Sequence, residues 1–313
     1  MLSLHATPLV LGINGGATST TALLADATTG REVGRGTSGP ANIQAVGTVA
    51  AFRSLNTAVG TAFHAAGKPR GKVAAAALGL AGVDLAGVDL IRGWTELVTL
   101  ADRASITDDA TLLFAAEHLK VGDWLSSGAL ALSPSRSTKT GSTHALAGGA
   151  YLLGDEGSAY RIGLLALRAA CRSADGVTPP TAASSLVTPD LLYHRSTRLT
   201  SAYSSEKWDN ATIAALAPLV MELAPTDATA ADILEDQASE LAKTAVGAVT
   251  NGKLPKTDVP IALAGGLLLR SEAYRSRFLA KLQNSGVTPG PVGLVHDPAV
   301  GAITLARKLL PRE

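Results

Sequence analysis

The stretch over residues 8–36 reads PLVLGINGGATSTTALLADATTGREVGRG, and its pattern decides the fold class. Two short apolar runs, at residues 8–13 and 21–25, are separated by a loop of small and polar residues. The second run ends in an Asp-to-Gly turn at residues 26–30, after which a third segment begins. This spacing predicts a β-meander of successive antiparallel strands, and not a strand that leads into a helix.

Helical and strand patterns alternate along the rest of the chain. Apolar residues recur at helical spacing over residues 42–66, and residues 73–80 form a continuous apolar run typical of a strand buried on both faces. A short strand over residues 104–110 and a helix over 111–123 follow, and residues 128–132 open a second sheet. The remaining predicted helices and strands cover residues 159–174, 210–223, 230–251, 259–264, 272–285, 292–295 and 299–310.

This order of elements predicts an α/β protein with two related lobes that face a cleft, each with a mixed β-sheet flanked by helices. We expect a smaller N-terminal lobe over residues 1–112 and a larger C-terminal lobe over residues 113–313, with the last helix packing near the lobe interface. The segment over residues 182–208, rich in Ser, Thr and Tyr, is either a flap over the cleft or an interface.

Composition excludes several classes of protein. Of 313 residues, 46% are hydrophobic and 17% are charged, and the formal net charge of +1 gives no overall field that attracts nucleic acid. The single cysteine, Cys171, cannot form an internal disulfide, and the histidines show no pair at metal-ligand spacing. No apolar run approaches the roughly 18 residues that cross a bilayer, and no cationic segment precedes the first apolar residues. We therefore expect a cytoplasmic protein with no metal-ligating residues and no membrane or nucleic-acid partner.

The loop after the first strand is the first candidate binding site. Asn14, Gly15, Gly16 and Thr18 lie between two predicted strands, where small residues leave backbone N–H groups free to cradle phosphate oxygens. A tight glycine turn without a ligand explains the same residues equally well. Neither the phosphate-loop motif nor the dinucleotide fingerprint occurs, so a nucleotide site in this chain is of another type.

Two further segments carry carboxylates in places where chemistry is expected. Asp109 lies at the end of a predicted central strand, where side chains of an open sheet reach a ligand, and a carboxylate there can accept the proton of an acceptor hydroxyl. Asp108 fits the alternative role of a helix cap better than Asp109 does. Asp155 and Glu156 lie between glycines before a predicted helix, so they either bind a ligand or complement the helix dipole.

Seven landmarks together resemble one known family, and they occur in the family's order. They are residues 12–20 (GINGGATST), 39–42 (GPAN), 78–84 (LGLAGVD), 107–110 (TDDA), 154–160 (GDEGSAY), 264–266 (AGG) and 297–302 (DPAVGA). The family is that of the N-acetylglucosamine kinases and the activators of 2-hydroxyacyl-CoA dehydratases and benzoyl-CoA reductases, the BadF/BadG/BcrA/BcrD ATPases. The activator branch holds an iron–sulfur cluster with several cysteines, so a chain with one cysteine resembles the kinase branch.

The resemblance implies a fold, a reaction and a set of site residues. The fold would be two actin/hexokinase-like, ribonuclease H-like lobes, and the reaction ATP- and Mg²⁺-dependent phosphorylation of an amino sugar at its 6-hydroxyl by a homodimer. Asp109 would be the catalytic base. The sugar would be bound by Asn42, Asp155, Glu156, Gly148 and Gly149. The nucleotide would be bound by Asn14, Gly15, Gly16, Thr18, Ser135, Arg136, Gly265 and Gly266.

Two departures from the family pattern leave the activity open. Asn14 stands where the family has an acid that helps to organise Mg²⁺, and residues 133–136 (SPSR) stand where the family has a second phosphate loop, Gly-Thr-Gly-Ser. Pro134 removes one backbone donor there, although Arg136 could bring a guanidinium to the phosphates. The chain is therefore either a working N-acetylglucosamine or glucosamine kinase or a catalytically impaired sugar- or nucleotide-binding protein that keeps the kinase fold.

Overall fold

The computed structural model describes residues 8–16, 18–83, 85–116, 124–128, 131–135, 154–186, 210–251 and 253–311. Contacts divide the chain into two compact units. The first comprises Met1–Val121 together with Val295–Glu313, and the second comprises Gly122–Leu294. These contacts group the last helix with the N-terminal part of the chain. The domain boundary at residues 112 and 113 stays a prediction.

The first unit is built on a five-stranded sheet. Its strands are β1 (Leu9–Gly15), β2 (Thr20–Asp26), β3 (Glu32–Ser38), β4 (Val73–Leu80) and β5 (Ala101–Thr107). They lie in the order β3-β2-β1-β4-β5. β2 is antiparallel to both β1 and β3, whereas β4 runs parallel to β1 and β5 runs parallel to β4. The predicted β-meander is confirmed. The strand predicted at residues 104–110 lies three residues earlier, at Ala101–Thr107, and it is an edge strand and not a central one.

Helices cover both faces of this sheet. They are α1 (Ile43–Ala65), α2 (Leu85–Leu97), α3 (Asp109–Ala116) and, from the end of the chain, α10 (Pro298–Lys308). Leu11 shares a core with Leu55 of α1, whereas its neighbour Val10 shares a second core with Leu112 and Ile303. Successive strand residues point to opposite faces, so these two cores place α1 and α10 on opposite sides of the sheet.

The second unit contains a four-stranded sheet. Its strands are β6 (Trp124–Gly128), β7 (Ala131–Ser135), β8 (Val259–Leu263) and β9 (Pro289–Leu294), in the order β7-β6-β8-β9. β6 and β7 form an antiparallel hairpin, and β8 and β9 run parallel to β6. Pro134 lies in the edge strand of this sheet, a position where the missing backbone N–H breaks no ladder between inner strands.

The helices of the second unit follow the sequence prediction with one correction. They are α4 (Ala159–Ala174), α5 (Asn210–Ala214), α6 (Ala217–Leu223), α7 (Ala228–Asn251), α8 (Gly266–Arg270) and α9 (Glu272–Asn284), with a 3₁₀ turn at Ala182–Leu186. The single helix predicted over residues 210–223 is wrong. The chain turns after Ala214, and Pro218 lies in the first turn of α6, where its missing N–H breaks no helical bond.

A second correction concerns the predicted phosphate loop at residues 133–136. Ser133 and Pro134 are not in a loop after a strand but within β7, paired with Ser126 and Leu125. Gly128 ends β6 instead of opening a strand, and it pairs with Ala131, the first residue of β7. Among the helices that the structure describes, none combines the length and apolar character needed to cross a membrane.

Candidate functional site

The parallel strands of the first sheet bring three of the predicted segments to one edge. β1 ends at Gly15, which pairs with Leu80 at the end of β4, and Gly79 pairs with Thr107 at the end of β5. Parallel neighbours end on the same side, so the loops after β1, β4 and β5 meet at the carboxyl edge of this sheet. Open α/β sheets bind ligands at such an edge.

Backbone hydrogen bonds fix the loop after β1 against its neighbours. The N–H of Ala41 donates to the carbonyl of Gly16 at 3.1 Å, and the N–H of Ala81 donates to that of Gly15 at 2.8 Å. A Cβ atom on Gly15 would lie only 2.5 Å from Leu80 Cδ2. The N–H of Gly16 is used within the loop, on the Ser19 carbonyl at 2.8 Å. The close packing against Leu80 therefore explains why residue 15 is a glycine. The role of Gly15 in phosphate binding stays a prediction.

Side chains at this loop differ in their exposure. Asn14 is half-buried and Thr18 is exposed to solvent. The hydroxyl of Thr18 is therefore free to meet a ligand that arrives from solvent, whereas Asn14 offers its amide from within the edge. Both assignments to the nucleotide stay predictions.

Asn42 lies beside the loop that follows β4, and part of its side chain is already used. Its Oδ1 accepts hydrogen bonds from the N–H groups of Gln44 at 3.0 Å and Ala45 at 3.2 Å, so it caps α1. A Cβ atom on Gly82 would lie 2.6 Å from the same Oδ1. Capping uses the amide oxygen, so the group that Asn42 can offer to a ligand is its Nδ2 donor. The sequence predicted a contact with a sugar but could not tell donor from acceptor.

The two aspartates after β5 have different roles. Asp108 caps α3, since its Oδ1 accepts from the N–H of Thr111 at 2.8 Å and from the Thr111 hydroxyl at 3.0 Å. Asp109 is the first residue of α3 and is not needed for this cap. The sequence favours Asp108 over Asp109 as the helix cap, and Asp108 is the residue that caps α3 through Thr111.

The carboxyl group of Asp109 is half-buried at the carboxyl edge, and its pKa is raised to about 6. Burial is the main cause, and the charge of Asp108 adds to it, while the N–H groups of Asp109 and Ala110 act in the opposite direction. A pKa near 6 keeps the group ionised at neutral pH and makes it a stronger base than an ordinary aspartate.

The acidic loop, residues 154–158, lies in the second unit and has an unusual backbone. Asp155 and Gly157 both have left-handed conformations, with φ values of +68° and +82°. The N–H of Ser158 donates to the carbonyl of Asp155 at 3.1 Å, and its hydroxyl caps α4 by accepting from the N–H of Arg161 at 3.0 Å. The cap of α4 is therefore Ser158, so the two carboxylates are not required for it.

Two buried polar atoms at the acidic loop have no hydrogen-bond partner among the residues that the structure describes: Asp155 Oδ2 and Arg161 Nε. The pKa of Asp155 is raised to about 6, mainly by burial, and the charge of Glu156 adds to the rise. Ser158 and Arg161 lower it. Buried acceptors without partners are rare in folded proteins, so Asp155 Oδ2 fits a ligand that supplies a hydroxyl or amide donor.

The acidic loop is held by two residues that the sequence did not indicate as site residues. Gln237 Oε1 accepts from the N–H of Gly157 at 2.9 Å, and the Tyr274 hydroxyl donates to the Gly157 carbonyl at 3.1 Å. Both side chains are buried. A signal for Gln237 was available, because it interrupts an otherwise apolar stripe of α7 that includes Leu234 and Leu241.

The remaining predicted site residues are only partly covered by the structure. Gly265 follows β8 with a φ of +90°, and a Cβ atom on Gly266 would meet nothing within 4 Å. Ser135 is the last residue of β7 and pairs with Trp124, the first residue of β6. Gly148, Gly149 and Arg136 lie outside the described residues.

The described parts of the chain contain no cluster of side chains that could coordinate a metal ion by themselves. No three His, Cys, Asp or Glu residues come together there in a way that could hold one. The donor set at the carboxyl edge, with the neutral Asn14 amide, fits a Mg²⁺ ion that is held chiefly by the phosphates of a nucleotide and by water.

Known structures share this architecture along almost the whole chain. A candidate N-acetylglucosamine kinase from Chromobacterium violaceum is 20% identical, with a TM-score of 0.70 over 96% of this chain and 99% of that one. A ROK hexokinase from Thermus thermophilus is 16% identical, with a TM-score of 0.50 over 96% and 97% of the two chains. The protein therefore has the actin/hexokinase-like fold, and the predicted fold class is confirmed.

The sequence comparisons define the family within that class. The family model described as the BadF/BadG/BcrA/BcrD ATPase family matches residues 11–306. An N-acetyl-D-glucosamine kinase from Dictyostelium discoideum is 26% identical over 314 residues, which cover 95% of this chain and 97% of that protein. The chain belongs to the BadF/BadG/BcrA/BcrD ATPase family, and the resemblance drawn from its seven landmarks is confirmed.

Proposed function

We propose that this protein is an ATP-dependent carbohydrate kinase that phosphorylates an amino sugar, N-acetylglucosamine or glucosamine, at its 6-hydroxyl. The observation that carries the proposal is the half-buried carboxylate of Asp109 at the carboxyl edge of the first sheet. Asp108 caps α3 through Thr111, so Asp109 is not needed for that cap. The relatives named as kinases of N-acetylglucosamine support the substrate class.

In the proposed reaction, Asp109 accepts the proton of the sugar 6-hydroxyl. A bond forms between that oxygen and the γ-phosphorus of ATP, the bond from this phosphorus to the β,γ-bridging oxygen breaks, and ADP leaves with its electron pair. A carboxylate with a pKa near 6 is ionised at neutral pH and orients the hydroxyl for attack. Most of the acceleration in such a transfer comes from positioning and charge stabilisation.

Sugar recognition is assigned to groups whose hydrogen-bonding capacity remains available. Asn42 offers its Nδ2 donor, because its oxygen caps α1. Asp155 offers the buried acceptor Oδ2, and Glu156 lies next to it. A donor and an acceptor of this kind suit the hydroxyl and amide groups of an amino sugar.

Nucleotide binding is assigned to the loop after β1 and to the glycines after β8. Mg²⁺ enters with ATP, and Asn14 can accept a hydrogen bond from water on that ion without the attraction of a full charge. We keep Ser135 and Arg136 as proposed phosphate contacts, although Ser135 is the last residue of β7. A cytoplasmic location and a homodimer are likewise proposals.

The proposal is tested by measuring ADP release with ATP, Mg²⁺ and either N-acetylglucosamine, glucosamine or glucose. We expect ADP release that depends on one of the amino sugars, with glucose the poorest acceptor. Phosphorus–proton NMR of the product should place the new phosphate on carbon 6. A sugar that raises the melting temperature but causes no ADP release at saturating ATP would favour the alternative, a sugar-binding protein without phosphotransfer.

A further inference from the structure

The acidic loop is held at one residue, Gly157, by side chains from two helices that are distant in sequence. Gln237 of α7 accepts from the Gly157 N–H at 2.9 Å, and Tyr274 of α9 donates to the Gly157 carbonyl at 3.1 Å. Both backbone polar groups of Gly157 are thus bound by side chains and not by regular secondary structure. We call Gln237 and Tyr274 the loop clamp.

The loop clamp lies inside the protein. Gln237 is 5% exposed and Tyr274 is 2% exposed. Hydrogen bonds are stronger in such surroundings than in water, and the loss of one partner leaves the other buried and unsatisfied. Each clamp bond is therefore expected to restrict the loop more than a surface hydrogen bond would.

The backbone of the acidic loop needs such a restriction. Asp155 is a left-handed residue with a side chain, and this conformation persists only where the surroundings impose it. Two residues later, Gly157 is left-handed as well, and a Cβ atom there would lie 2.6 Å from Leu241 Cβ. Contacts from α7 and α9 at Gly157 thus hold the turn that sets the direction of the Asp155 side chain.

We propose that Gln237 and Tyr274 are positioning residues that hold the acidic loop in the conformation in which Asp155 binds the sugar. The inference rests on the proposed function, since it assigns the loop to the sugar and not to the nucleotide. Neither clamp residue touches the sugar. Their effect is to keep Asp155 Oδ2, which has no hydrogen-bond partner within the described part of the chain, in place before the sugar arrives.

The clamp is tested with three variants and one control. Gln237→Met removes the acceptor and keeps the length of the side chain, Tyr274→Phe removes only the hydroxyl, and Gln237→Glu keeps an oxygen acceptor. Phe278→Leu is the control, because it removes core volume from the same helix, α9, and a phenylalanine side chain makes no hydrogen bond to Gly157.

We expect Gln237→Met and Tyr274→Phe each to raise the KM for the sugar by about tenfold, the effect of losing a buried hydrogen bond. The KM for ATP should stay within about twofold, because a loop that positions the sugar leaves the free energy of nucleotide binding unchanged. Gln237→Glu should return the sugar KM toward that of the wild type. Phe278→Leu should lower the melting temperature with the sugar KM unchanged.

Hydrogen exchange at the Gly157 amide tests the clamp without any activity. Gln237→Met should speed this exchange by about tenfold or more relative to wild type, since the amide loses its acceptor, and Phe278→Leu should not. An unchanged sugar KM in both deletion variants, or an unchanged Gly157 exchange rate in Gln237→Met, would overturn the inference. Wild-type protein without sugar phosphorylation would instead overturn the proposed function, and the exchange result would still decide whether the clamp holds the loop.

Discussion

At the scale of single residues, two adjacent aspartates have different roles: Asp108 caps a helix, and Asp109 is the proposed catalytic base. Asp108 saturates one oxygen with Thr111, whereas Asp109 keeps a carboxylate that burial makes more basic. A charge held in such a place costs folding free energy, which proteins tolerate at functional sites. The sequence favours Asp108 over Asp109 for the capping role, and the structure adds the partner of the cap, Thr111.

The cost of the Asp109 charge predicts a pH-dependent effect of Asp109→Asn. The folded pKa of about 6 lies above the ordinary value of 3.8, so the folded state holds the proton more tightly, and the charge destabilises it increasingly as pH rises from about 4 to about 6. Asp109→Asn should therefore raise the free energy of unfolding by about 1–3 kcal/mol at pH 8 and by much less at pH 4.

Urea unfolding of wild type and Asp109→Asn at both pH values measures this difference. Titrating groups that do not interact with Asp109, such as Asp155, contribute equally to the two proteins and cancel, whereas the repulsion from Asp108 is part of the measured difference. An Asn variant that is less stable than wild type at pH 8 would show that the Asp109 charge is stabilised by its surroundings.

At the scale of elements, the carboxyl edge of the first sheet assembles residues that are far apart in sequence. The meander, α1 and the parallel strands β4 and β5 follow from apolar spacing. Their pairing places Asn14 near the end of β1, Asn42 at the start of α1 and Asp109 at the start of α3 along this edge. In the second unit, the acidic loop depends on a left-handed glycine, and that requirement can be tested separately from function.

Gly157→Ala should lower the free energy of unfolding by about 2–4 kcal/mol, because it adds a Cβ both to a left-handed residue and against Leu241. Gly176→Ala is the matched control, since Gly176 has a φ of +71° but nothing within 4 Å of an added Cβ. It should lose only about 1 kcal/mol, the cost of the backbone conformation. If urea unfolding shows equal losses of unfolding free energy in the two variants, Leu241 moves aside for the added Cβ atom at little cost.

At the scale of the whole molecule, the sequence predicts the fold class and the order of elements better than the contacts of the site. Spacing within a segment determines a helix or a strand, so β1 to β4 and α4 are found where the patterns indicate. The sequence does not predict the hairpin of β6 and β7. Its apolar run over residues 128–132 predicts the start of a second sheet, whereas Gly128 ends β6 and Ala131 begins β7.

The loop clamp shows why the rest of the site was not predictable. Gln237 and Tyr274 reach Gly157 across 80 and 117 residues of sequence, and one chain without its fold contains no signal that joins them. The oxygen of Asn42 is another case, since its capping bonds depend on where α1 begins. Residue types can indicate chemistry, but the partner of each group follows from the packing of distant elements.

The most direct test of the account is the rate of sugar phosphate formation at saturating ATP and amino sugar. Wild type is compared with Asp109→Asn and with Asp102→Asn, which removes an exposed carboxylate from β5 that pairs with Lys72. We expect kcat to fall by about 100-fold or more in Asp109→Asn, the effect of losing a general base, and to change little in Asp102→Asn. If Asp109→Asn keeps kcat within about tenfold of wild type, Asp109 is not the base and the central claim is wrong.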